Sequence, residues 1–154
     1  SLLKALTRAK PKIANYPFTT INPNLGVAYY DNKEITLADI PGLVEGAHKG
    51  VGLGVKFLRH IERCKILIHL IDLSESDLFE NYMKIKNELK NYSTALIKKK
   101  EFVVFNKSDL IERKDLIKKL GVFKKKTKSK FEVISTFKEK NIKDLKKTLV
   151  QYAR

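Results

Sequence analysis

Three short apolar runs, each closing on polar residues, punctuate the chain: KILIHLIDLS at 65–74, EFVVFNKSDL at 101–110 and FEVIST at 131–136. Their β-branched and aromatic content predicts strands, the first two buried on both faces. Between and after them the pattern turns helical. Leu78, Tyr82, Ile85 and Leu89 are spaced for a helix in LFENYMKIKNELKNYSTAL, ERKDLIKKLGVF predicts a helix ending near Gly121, and NIKDLKKTLVQYA predicts a closing one. Upstream, SLLKALTRA is helical in composition, while KPKIANYPFTTINPN, with Pro11, Pro17 and Pro23, is irregular and partly extended. GVAYYDNKEITLADI divides into two short strands around a turn at Asp31-Asn32. A glycine-rich passage, Gly46 to Gly54, precedes a short helix in KFLRHIERC.

From the hairpin onward the order is β-α-β-α-β-α. That alternation predicts an α/β fold, a mostly parallel sheet with helices on both faces. Ligands of such sheets lie outside the carboxyl ends of the strands. Those ends carry DIPG, IDLS, NKSD and IST, a polar and acidic rim suited to a phosphate-bearing ligand.

VVFNKSDL, Val103 to Leu110, is the most informative stretch. An apolar strand delivers Asn106, Lys107 and Asp109 at its end. The Asp109 carboxylate matches the paired donors of guanine, the ring N–H and the exocyclic amine. Adenine lacks that pair, so discrimination on the order of 10⁴-fold is within reach. Asn106 is placed to reach N7, and the stem of Lys107 to lie over the base. The plainer alternative is a turn and helix cap, since Ser and Asp favour such places.

Composition narrows the classes. The 154 residues allow one domain with one sizeable core. No apolar run approaches a membrane span, and a lone cysteine, Cys64, excludes an internal disulfide or a thiolate metal site, so a cytoplasmic setting is expected. Cys64 itself is expected to be packed rather than reactive. Charge changes the picture further. Residues 97–154 hold 19 Lys/Arg against 7 Asp/Glu, while residues 1–96 hold 13 against 10. A field concentrated in one half favours a polyanionic partner, RNA above all, against the bland reading of a lysine-rich solvated surface. His48, His60 and His69 have no ligand spacing, and His69 reads as a satisfied core histidine.

AKPKIANYPFTTINPNLGV (9–27), ADIPGLVEGAHKGVGLGVKFLRHIERC (38–64), NKSD and the serine of ISTFKEKNIKDL together resemble the Obg family of GTPases, over essentially the whole chain. The resemblance implies a three-layer, P-loop NTPase-like domain over residues 1–154. It also implies GTP and GDP as ligands, Mg²⁺ as cofactor with a monovalent cation such as K⁺ as a further candidate, and the ribosome or its RNA as partner. It gives roles to Asp39 and Thr20 (with Thr19 as the alternative) at Mg²⁺, to Gly42 at the γ-phosphate, to Ser135 as the brace of Asp109, and to Thr136 through its backbone N–H at guanine O6. The family commonly has Ala where this chain has Thr136. Leu43 stands where Ras-like enzymes place the water-orienting glutamine, so hydrolysis is expected to be slow, and the glycines at 46, 50, 52 and 54 read as switch hinges. G-x-x-x-x-G-K-[ST] does not occur, and Ser1-Leu2-Leu3 resembles the residues that follow it. The expectation is therefore a domain whose first strand and phosphate loop lie outside these residues, which alone bind GTP poorly and do not turn it over. Two functions compete: a slow GTP-hydrolysing switch in large-subunit ribosome assembly, or a non-catalytic RNA- or protein-binding module that keeps the fold.

Overall fold

The computed structural model describes residues 1–7, 12–13, 24–39, 62 and 64–153. Helix α1 (Leu2–Thr7) is followed by an antiparallel sheet of β1 (Lys12–Ile13), β2 (Asn24–Tyr30) and β3 (Lys33–Ala38). Asp31 and Asn32 both take positive φ, 51° and 57°, which gives a two-residue hairpin the twist its strands need. Gly26 on β2 is required by close packing: a Cβ there would meet Thr7 Cγ2 at 2.5 Å.

The second sheet is parallel, in the order β4 (Leu67–Asp72), β5 (Glu101–Asn106), β6 (Phe131–Val133). Helices α2 (Leu78–Tyr92), α3 (Thr94–Ile97), α4 (Arg113–Lys126) and α5 (Ile142–Tyr152) connect and cover it. Asp77 caps α2 by accepting the Glu80 N–H at 2.9 Å, and Ser93 in extended conformation separates α2 from α3.

Strand β5 organises the interior because its side chains alternate between two cores. Phe102 and Val104 join Leu6, Ala28, Ile134, Leu145 and Leu149 on one face, with Ile35 and Leu37 of β3 against them. Val103 and Phe105 join Ile71, Leu78, Tyr82 and Phe123 on the other. Three expectations need correction. Helix α4 does not end at Gly121 but runs to Lys126, because buried Phe123 demands another turn; the Thr127 N–H then caps the Phe123 carbonyl at 3.0 Å. Strand β4 is not buried on both faces: among the described residues it pairs with β5 alone, and its Leu70 is 46% exposed. Cys64 is exposed rather than packed. His69, as expected, is satisfied and buried, its Nδ1 2.8 Å from Glu101 Oε1 and its ring stacked on Tyr82.

Glu101 also accepts from Lys86 Nζ at 2.8 Å and the Tyr82 hydroxyl at 3.3 Å. Burial pushes its carboxyl up, but the bonds to His69 and Lys86 outweigh this and hold it below its ordinary 4.5. A depressed folded-state pKa contributes stability that is present above the unfolded value and lost as pH falls through the folded one. Glu101→Gln is therefore expected to cost about 2–4 kcal/mol at pH 7, and the gap to wild type to narrow between pH 5 and pH 3. Urea titrations across that range check it; a gap independent of pH would contradict the assignment.

Candidate functional site

The ladder between β4 and β5 sets Asp72 directly beside Asn106 at the carboxyl end of the sheet. Lys107 then adopts the left-handed conformation, φ 65° and ψ 36°, a strain of about 1–2 kcal/mol for a residue with a Cβ. That turn diverts the chain into a 3₁₀ helix, Ser108–Leu110, which presents Asp109. The Ser108 N–H donates to the Ile134 carbonyl at 3.1 Å, tying this loop to the one leaving β6.

The second loop is closed on itself. Ser135 and Lys140 exchange backbone hydrogen bonds of 3.2 and 3.0 Å, and Asn141 Nδ2 donates to the Val133 carbonyl at 2.8 Å. Ser135, fully buried, donates from Oγ to Asp109 Oδ1 and accepts the Lys138 N–H at 3.0 Å. Asn106 Oδ1 accepts the Thr136 N–H at 3.1 Å, and its Nδ2 donates to Thr136 Oγ1 at 3.3 Å. Asp109 is exposed, and its Oδ2 has no hydrogen-bond partner among the described residues. The loops together offer a fixed carboxylate oxygen at an open rim.

Lys107 reaches across to pair with Asp72. Burial raises the Asp72 carboxyl, but Lys107 and the Ser74 hydroxyl (2.7 Å) and N–H (2.9 Å) bring it below its ordinary value. Bonding to that carboxylate in turn raises the Lys107 ammonium.

Asn106, Lys107, Asp109, Ser135 and Thr136 are thus brought together. Asp39 stands apart, exposed just past β3, with its N–H on the Asn24 carbonyl at 2.9 Å. Ser1 serves α1, its Oγ accepting the Lys4 N–H at 3.3 Å. Thr19, Thr20, Gly42, Leu43, His48, His60 and the glycine passage lie outside the described residues. Asp72 is the participant that sequence reasoning gave no role, although IDLS marked it as a polar strand end. The Ser108 hydroxyl is also unanticipated, buried with no hydrogen-bond partner among the described residues.

A family profile described as 50S ribosome-binding GTPase matches residues 1–107. GTPase Obg of Pelagibacter ubique (strain HTCC1062) is 56% identical over 152 residues, covering 99% of this chain and 46% of that protein. The chain belongs to the Obg family of GTPases. GTPase Obg of Ehrlichia chaffeensis is 49% identical over 152 residues, again 99% of this chain and 44% of the relative. The Obg-family chain thus spans about half the length of the curated relatives it matches. Among solved structures, Era in complex with MgGDPNP and a 16S ribosomal RNA segment aligns with a TM-score of 0.70 at 24% identity, over 98% of this chain and 51% of that one. The G domain of the T. maritima FeoB iron transporter aligns at 0.67 and 24%, over 99% and 89%. At these identities the likeness establishes the P-loop GTPase fold.

Asn106→Ala removes the Asn106–Thr136 link between the two loops and leaves the Thr136 N–H without its acceptor. The expected loss is about 1–2 kcal/mol of stability by urea titration. An unchanged midpoint would show that Asn106 does not hold the two loops together.

Proposed function

We propose that this domain is a guanine-nucleotide switch that binds GTP and GDP, hydrolyses GTP slowly, and acts in assembly of the large ribosomal subunit. The observation that carries the base assignment is the Ser135–Asp109 hydrogen bond. It fixes the carboxylate at the strand end while leaving an oxygen open at the rim. Asp109 accepts from the guanine ring N–H and exocyclic amine, the stem of Lys107 covers one face of the base, and the Thr136 N–H lies beside the position of O6. That N–H is engaged by Asn106 in this structure, so nucleotide binding trades or shares the contact.

Mg²⁺ supplies charge neutralisation of the phosphates when bound. Asp39 is an exposed, hard carboxylate of the kind that ion accepts through water, and Thr20 is its partner ligand in this reading. No group of three or more His, Cys, Asp or Glu that could hold a metal ion occurs among the described residues. Gly42 brings a backbone N–H to the γ-phosphate, and K⁺ is the candidate second cation. Leu43 cannot orient water, so hydrolysis depends on help from that cation or from a partner. The matching profile is named for 50S ribosome binding, and this supports the assembly role.

Asp109→Asn in the full-length protein reverses one acceptor to a donor. The expected result is a fall in GTP affinity of about 10³–10⁴-fold with a gain of affinity for xanthosine triphosphate, read by calorimetry. Unchanged preference for GTP would overturn the assignment.

A further inference from the structure

We propose that the pole of the parallel sheet opposite the base-reading loops is a docking surface for single-stranded RNA. β5 and β6 run in parallel toward Asn106 and Val133, so the residues just before them lie at the far edge, roughly 15–20 Å from the site by strand length. That edge carries Lys124, Lys125, Lys126, Lys128 and Lys130 ahead of β6 and Lys100 ahead of β5, all exposed. None of the six forms an ion pair with a described residue. Favourable charge at a helix C-terminus accounts for Lys124 to Lys126, but not for the others.

Two observations distinguish this surface from a solvated lysine run. The turn that presents the lysines is pinned from beneath: the Ser129 N–H donates to Thr127 Oγ1 at 3.1 Å, and Ser129 Oγ lies 3.2 Å from the Tyr82 hydroxyl, itself bonded to Glu101. Beside the turn, the half-buried ring of Tyr152 is flanked by Lys100 Nζ at 4.5 Å and Lys130 Nζ at 5.3 Å. A shallow groove of about 480 Å³, lined by Lys124, Phe131, Thr148 and Tyr152 among others, opens there. An aromatic ring with two lysine ammoniums close to it, next to a groove large enough for a nucleotide, matches how single strands are held: a base stacks on the ring and phosphates meet the lysines. An acidic peptide would satisfy the charges but brings no base to the ring. Because the surface lies away from Asp109, RNA and guanine nucleotide can occupy the domain together.

The inference rests on the proposed ribosomal role only for its choice of partner, and the two are separable by experiment. In the full-length protein, binding of a fluorescein-labelled 20-residue oligouridine is measured by anisotropy at several salt concentrations, with GDP binding followed by calorimetry. Changing Lys124, Lys125, Lys126, Lys128 and Lys130 together to Gln is expected to weaken RNA binding at least tenfold. It should also lower the salt slope by roughly 3–4, with GDP affinity unchanged. Tyr152→Ala is expected to weaken RNA binding about tenfold and Tyr152→Phe to retain it, since only the ring face is used. RNA affinity and salt slope unchanged in the five-lysine variant would overturn the proposal, as would competition by polyglutamate as effective as by unlabelled RNA. Loss of GDP recognition with these RNA effects intact would strike the guanine assignment alone.

Discussion

The site depends on a tie between two loops rather than on either loop alone. Ser135, buried without exposure, holds one oxygen of Asp109, and Asn106 clamps both the N–H and the hydroxyl of Thr136. A carboxylate has about four acceptor directions, so the Ser135 bond fixes orientation without exhausting what Asp109 can accept. Without that tie, the αL turn at Lys107 would deliver Asp109 to a mobile rim, and selectivity between purines would be lost to side-chain motion.

That tie is secure because β5 beneath it is buried on both sides. Its alternating side chains join two cores, so the strand that ends in Asn106 cannot shift without disturbing α5 and the hairpin on one face or α2 and α4 on the other. The opposite end of the same strand begins at Glu101, where His69, Lys86 and Tyr82 converge and the basic turn is anchored through Ser129. One strand thus positions a base-reading rim at one pole and a cationic surface at the other.

Much of this was legible from residue order. The apolar run closing on NKSD located β5 and its polar end, and Asp31-Asn32 located the hairpin, because strand burial and positive-φ turns leave strong local signatures. Gly121 misled because burial of Phe123 outweighs the weak helix penalty of one exposed glycine. Leu70 misled because an apolar run reports strand character but not how far each face of the strand is covered. Asp72 gained its role only from register: a residue 35 positions from Lys107 becomes its ion-pair partner through a ladder that periodicity cannot foresee. The reach of Asn106 to Thr136 is hidden for the same reason.

The central claim is that one carboxylate reads two donors of the base. A calorimetric series with GDP, inosine diphosphate and ADP on the full-length protein tests this directly, because hypoxanthine keeps the ring N–H and loses the exocyclic amine. The account predicts GDP tightest, inosine diphosphate weaker by about 10- to 100-fold, and ADP weaker still. Equal affinity for GDP and ADP would contradict it.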